Sequence, residues 1–447
     1  MYTNRHIWKI SYPIFLSLLA QNVINVTDTA FLGRVGEVEL GASAMGGLYY
    51  ICIFTIAFGF STGSQILIGR RNGERNCEAV GPVVIQGVFF LIVLAAVIFL
   101  FSRLMAGSLM RALISSEAVR TATLDFLDWR VYGFFFSFVN VMFRAFFVGI
   151  IRTKVLTWNA LLMAGINVIL DYLLIFGHAG LPRMGIQGAA IASVIAEGAS
   201  VVFFLVYTLL TVDRKQYGLH RIPAFDPVLL KQVLNISVFM MMQQFASMST
   251  FFLLFIVVER LGQRELAIAN IIRSVYVVMF IPVNALATTT NTLVSNIMGE
   301  GRVSQVIPLI RHMVRLSVSL MACFSLLLCI FPRAALSIYT NDAALLSDSM
   351  PSLYVIAVTA LVCSMASVVF NGLSGTGNTR PAFVIELGVL VIYLLFIYVA
   401  GVQLRQPVHI CYLCEFVYFL LLLTGCVLYF RFAAWEKNEM LRYHERP

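Results

Sequence analysis

The chain has 447 residues, of which 60% are hydrophobic and 12% charged, with a net charge of +9 and a mean hydropathy of +0.89. A soluble domain carries about 25% charged residues, so this chain cannot cover itself with a wettable surface. The composition excludes a soluble enzyme, and long apolar runs over the whole length point to a polytopic membrane protein.

Residues 1–9 are basic and precede an apolar stretch. That stretch exceeds the roughly 7–15 residues of a signal-peptide core, and no small-residue cleavage site follows, so it reads as a retained first span. Apolar runs predict spans at 8–33, 40–69, 81–102, 123–151, 156–177, 186–212, 232–259, 264–298, 306–331, 350–374, 382–404 and 409–430. Several of these twelve exceed the roughly 20 residues needed to cross a bilayer, which implies tilt, bending or extension into water. Pro13 and Pro282 lie inside spans and should bend them.

The chain also repeats itself. At a shift of 226, Glu39 matches Glu265, Gly73 matches Gly299, Pro82 matches Pro308, Gly149 matches Gly375 and Thr153 matches Thr379. A six-helix unit used twice enters the membrane from the same side both times, so the repeat is parallel. The expected organisation is an N-terminal six-helix lobe over 1–212, a basic linker over 213–231, and a C-terminal lobe with a short tail over 232–447. Lys and Arg number 19 in the segments on the side of the termini and 9 on the other side. Both termini are therefore expected in the cytoplasm.

The motifs of several chemistries are missing. No lysine follows a glycine, so there is no phosphate-cradling loop for ATP. The histidines lie in loops or near helix ends, and the eight cysteines fall mostly within apolar runs, where they behave as small hydrophobes. Cys411 and Cys414 have motif spacing but no second pair for zinc. The acceptor-like Asn25-Val-Thr27 lies within a span, out of reach of glycosylation. No nucleic-acid partner is expected.

What remains is a small set of ionisable residues in the spans: Asp28, Arg144, Asp171, Glu197, Arg273, Glu386 and Glu415. A charge at the bilayer centre costs roughly 2.5–3.5 kcal/mol, so such residues face the protein interior and are functional candidates. Asn167 lies one turn before Asp171, with its amide able to bond the carboxyl group, and Asn25 is three residues before Asp28. At the 226 shift, Leu254, Tyr393 and Ile397 stand at the places of Asp28, Asn167 and Asp171, so the second half is expected to lack this pocket. A carboxyl group buried in apolar surroundings can hold a proton near neutral pH, and an oxygen-rich cluster can instead hold Na+, a hard cation. The competing reading is a structural polar anchor. Glu386 and Glu415 read equally well as snorkelling or capping residues near span ends, Arg144 and Arg273 as ion-pair partners. Glu197 is expected to line a cavity or meet Arg144. Met163, Met240 and Met241 suit a cavity for aromatic cations; Gln243 and Gln244 read as lining the second-half wall, with interhelical hydrogen bonding as the plainer account.

PIFLSLLAQNVINVTDTAFLGRVGEVELGA, FGFSTGSQILIGRRNGE, VGIIRTKVLTWNALLMAGINVILDYLLIFG and NGLSGTGNTRP, in this order and spacing, resemble multidrug and toxic compound extrusion (MATE) transporters over nearly the whole chain. The resemblance implies two six-helix bundles with a central cleft, and antiport of amphipathic, cationic or aromatic compounds against H+ or Na+. It places the coupling cation, as H+ or as Na+, at Asp28, Asn167 and Asp171, with Asn140 as the fourth-helix partner and Pro13 as the hinge of the first helix. The seventh span shows Gln243 and Gln244 and the tenth no carboxylate, which resembles the DinF-like branch more than the NorM-like one. The resemblance further implies an inner-membrane monomer that handles small organic substrates in lipid, and no enzyme. A lipid-linked oligosaccharide flippase of related fold is the alternative; its pyrophosphate would call on Arg144 and Arg273.

Overall fold

The computed structural model describes residues 2–436 apart from 115, 222 and 341. The tail residues Lys437, Arg442 and Arg446, which contribute to the expected charge asymmetry, lie outside the described residues. The helices are α1 (Asn4–Val35), α2 (Glu37–Gly73), α3 (Val80–Leu113), α4 (Glu117–Arg130), α5 (Gly133–Gly149), α6 (Lys154–Phe176) and α7 (Gly185–Thr211). They continue as α8 (Pro227–Glu259), α9 (Gln263–Gly299), α10 (Val306–Ile330), the short α11 (Pro332–Ser337), α12 (Ala343–Gly375), α13 (Thr379–Ile397), the short α14 (Val408–Cys411) and α15 (Leu413–Phe432). Among the described residues eleven helices are long and apolar enough to cross a membrane, and α4 with α5 makes a twelfth, bent by 55°. The all-α, twelve-span architecture expected from hydropathy is what the chain forms.

The structure obeys the internal repeat. α2 and α9 are both 37 residues long, and each boundary of one is displaced by 226 from that of the other. The same displacement carries the start of α3 onto that of α10, and residues 117–149 onto α12.

The described chain divides into two compact units, Tyr12–Met241 and Met242–Pro447 with Met1–Ser11. In the first, Leu32, Ala42, Ala106, Met110, Phe126, Ile175 and Ala190 form one core. Glycines let helices approach within that unit: a Cβ on Gly59 would stand 2.5 Å from the Met241 backbone, and one on Gly63 2.6 Å from Ser237 Cα. In the second unit Leu254, Ile272, Met321, Leu353, Ile356 and Phe419 form the corresponding core. Outward faces carry exposed apolar side chains such as Val93, Val97, Leu100, Val391 and Leu395, as a lipid solvent requires.

The single uninterrupted span expected at 123–151 is corrected by the structure. α4 starts earlier, where the Ser116 hydroxyl accepts from Val119 N, and ends at Arg130. Through the bend the backbone bonds shorten to three-residue steps: Tyr132 N to Trp129 O, Phe134 N to Val131 O and Phe135 N to Tyr132 O. α1 runs unbroken through Pro13, whose carbonyl accepts from Thr157 Oγ1 of α6 at 3.2 Å.

Candidate cation site

Asp171 and Asn167 face inward from α6, 0% and 1% exposed. Asp28 reaches them from α1, and its carboxyl group lies within hydrogen-bond reach of that of Asp171. Asn167 Nδ2 is directed at Ser193 Oγ of α7, 3.4 Å away. This corrects the expected bond from that amide to Asp171. Because the amide nitrogen turns to α7, the amide oxygen remains for the site.

Four buried oxygens there receive no hydrogen bond: Asp28 Oδ1, Asn167 Oδ1 and both Oδ1 and Oδ2 of Asp171. A buried acceptor without a donor costs about 1–3 kcal/mol, more when charged, and two facing carboxylates also repel. One added positive charge removes both penalties: a proton shared between the carboxyl groups, or a hard cation bound by the oxygens. The donor set is oxygen only, which fits H+ or Na+. Among the described residues no group of three or more His, Cys, Asp and Glu side chains is placed to hold a metal ion.

Asn25 does not join the site. It is exposed, so the paired Asn–Asp pattern expected on α1 is not realised. Asn140 on α5 is engaged elsewhere: its amide donates to the Glu197 carbonyl at 3.0 Å, and its oxygen accepts from Ser200 Oγ at 2.9 Å. The Ser200 hydroxyl is also 2.9 Å from Asn159 Oδ1, linking α5, α6 and α7.

Glu197 pairs with Arg130 rather than with Arg144. The two form a fork, Nη2 to Oε1 at 2.7 Å and Nη1 to Oε2 at 3.0 Å. The Tyr50 hydroxyl is 3.1 Å from both Glu197 oxygens and 2.8 Å from Ser137 Oγ, and the guanidinium lies 3.5 Å from the Tyr50 ring centroid. Gly133 makes this possible, since a Cβ there would collide with Arg130 Nη1 and stand 2.5 Å from Glu197 Oε2. The charge of Arg130 also acts on Asp28, so the ion pair borders the carboxyl site. Arg130 and Tyr50 are not among the residues singled out from the sequence. The available signal is an arginine within an apolar run, three residues before a glycine.

Arg144 and Arg273 form no ion pair among the described residues. Arg144 stands 5.0 Å from the Phe58 ring and Arg273 5.4 Å from that of Phe255. Met240 is 4% exposed within the packed core of its unit, and Met163 and Met241 are half-buried. Glu386 and Glu415 are 1% and 5% exposed, which overturns the snorkelling reading for both. Glu415 does lie in the first turn of α15, where a carboxylate favours the helix N-terminus, whereas Glu386 lies well inside α13. Tyr418 OH donates to Glu386 at 2.8 Å and Tyr393 OH to Glu415 at 2.7 Å.

The MatE family model matches residues 13–173 and 240–399, one segment in each repeat. The chain is 22% identical to a probable multidrug resistance protein NorM of Photorhabdus laumondii over 83% of this chain and 82% of that protein. It is 23% identical to the protein of the same name from Thermotoga maritima, covering 84% and 81%. Among solved structures, a MOP-superfamily transporter from Pyrococcus furiosus, described as having a binding pocket of reversed polarity, superposes with a TM-score of 0.88 at 17% identity, covering 97% and 96%. A point mutant of the Vibrio cholerae MATE transporter VcmN superposes with a TM-score of 0.89 at 15% identity, covering 98% of each chain.

Proposed function

The chain belongs to the MATE family, a membrane transporter and not an enzyme, and from that premise we propose that it exports amphipathic organic cations and aromatic compounds in exchange for H+ or Na+. The observation that carries this reading is the buried set of four unpartnered oxygens on Asp28, Asn167 and Asp171. A site whose polar atoms are left unsatisfied without a positive charge has a strong differential affinity for its loaded state, and coupling needs such a difference.

The cation enters when the site opens to the outside, bridges α1 to α6, and leaves when the site opens to the cytoplasm. Pro13 is the hinge, because proline removes a backbone donor from α1. It lies two residues from the Ser11/Tyr12 position at which α1 passes from one compact unit to the other. Asn140 contributes indirectly, by fixing α5 to α7 beside Glu197. The protein sits in the inner membrane with both termini cytoplasmic, as a monomer, and Glu197, Met163, Gln243, Met240 and Met241 are the substrate-side residues to test. The flippase reading gains no support, because Arg144 and Arg273, the cations a pyrophosphate would need, each lie against an aromatic ring.

The test is dye efflux from proteoliposomes under an imposed pH gradient and, separately, an imposed Na+ gradient. One gradient drives wild-type efflux, and Asp28→Asn and Asp171→Asn each abolish it while the protein is made at normal levels. Normal efflux in both variants refutes the coupling assignment.

A further inference from the structure

The second unit holds a buried carboxylate that the repeat does not foretell. At the 226 shift Glu386 corresponds to Ala160 and Tyr418 to Ala192, while the places of Gln243 and Ser247 hold Ser17 and Gln21, so the acid and the tyrosine hydroxyl have no counterpart. Yet α8, α13 and α15 are the repeats of α1, α6 and α7, the helices that build the Asp28–Asp171 site. Glu386 lies 11 residues before Ile397, the counterpart of Asp171, or about 16 Å along the helix.

Glu386 Oε1 accepts from Ser247 Oγ of α8 and from Tyr418 OH of α15. The Gln243 side chain, also on α8 and 9% exposed, lies against the same carboxyl group. Glu386 Oε2 and Gln243 Oε1 are both buried and both lack a donor. No Lys or Arg forms an ion pair with Glu386 among the described residues. α8 faces it with neutral Ser247 and Gln243, and α15 with Tyr418 and Cys426. Glu415 lies beyond Tyr418, held by Tyr393.

We propose that Glu386 is a second cation site, specific for a proton, in the C-terminal unit. A proton on Oε2 neutralises the carboxyl group, while Oε1 keeps its two donors. No charge is then left buried, and α8 is tied to α13 and α15. Only two buried oxygens, Glu386 Oε2 and Gln243 Oε1, lack donors here, against four at the Asp28 site, too few to replace the hydration shell of Na+. When the proton leaves, a bare carboxylate remains in an apolar setting, so release requires α8 to part from α13 and admit water. The site is therefore loaded when these helices close and empties when they open.

The experiment is a pH titration of the full chain in lipid nanodiscs, followed by infrared absorption of protonated carboxyl groups, in the Asp28→Asn/Asp171→Asn background. With the first site silenced, failure of the coupling reading above leaves this result untouched. The expected result is a protonated-carboxyl band that fades reversibly as pH rises and is missing once Glu386→Gln is added. A band unchanged by Glu386→Gln overturns the proposal. So does a Glu386 band that persists at every pH, which marks a permanently neutral acid, or the absence of any band, which marks an ionised group. Should Glu386→Gln fail to fold, Tyr418→Phe serves: removing a donor to the ionised form shifts the fading about one pH unit higher. An unmoved midpoint overturns the proposal.

Discussion

Asp28, Asn167 and Asp171 were legible from sequence because a carboxylate in an apolar run is expensive and must have a use. Their partners were not. Spacing along α6 puts Asn167 on the face of Asp171, but it cannot show that Ser193, from another helix, holds the amide nitrogen and leaves the oxygen free. On α1, three residues rotate Asn25 by about 60° from Asp28, enough to leave it exposed. The free Asn167 oxygen separates the two candidate ions. Sodium would use it as a ligand, whereas a proton shared by the two carboxyl groups has no need of it. Asn167→Leu is therefore expected to cut Na+-driven efflux by tenfold or more if Na+ is the coupling ion, and to leave H+-driven efflux within about threefold of wild type if H+ is. Initial rates under the two gradients decide. The Arg130–Glu197 fork allows a second prediction at this scale. Removing one partner of a fully buried ion pair costs about 3–5 kcal/mol, and less for this pair, whose side chains are 12% and 14% exposed, whereas apolar replacement of both is often neutral. Glu197→Leu should sharply lower thermal stability in detergent, and Arg130→Met with Glu197→Leu should restore most of it.

The bend between α4 and α5 is the element that hydropathy misreads. A window long enough to find a span averages over a local break, and the only charged residues over 123–151 are Asp125, Asp128, Arg130 and Arg144. The counterpart stretch in α12 is unbroken, with Ile356 at the place of Arg130 and Thr359 at that of Gly133. What distinguishes the copies is the ion pair, which fills the space where a side chain on residue 133 would stand. Gly133→Ala should therefore break the fork and destabilise the protein about as much as losing Glu197. Gly107→Ala in α3, where a Cβ meets nothing within 4 Å, should be neutral or slightly stabilising, since alanine favours helix by about 1 kcal/mol. Paired melting curves check the contrast. A Gly133→Ala variant as stable as wild type would show that the fork does not depend on this opening.

For the whole molecule, the repeat was the most legible feature, because helix boundaries are set by turn residues and these recur at a constant shift. What the repeat hides is divergence in the interior. Comparing the halves position by position finds Leu254 and Ile397 where the carboxylates should be, and concludes that the second half is apolar there. A buried acid three turns away on the same helix escapes that comparison. Orientation is also a property of the whole chain, since only the sum of Lys and Arg over many loops decides it. With both termini inside, the 213–231 linker faces the cytoplasm and the segment after α6 faces outward. In a cysteine-free background, Arg214→Cys should react with a membrane-impermeant thiol reagent in inside-out vesicles and stay unlabelled in intact cells. Arg183→Cys, between α6 and α7, should do the reverse. The opposite pattern would place the linker outside and overturn the orientation read from the charge of the loops.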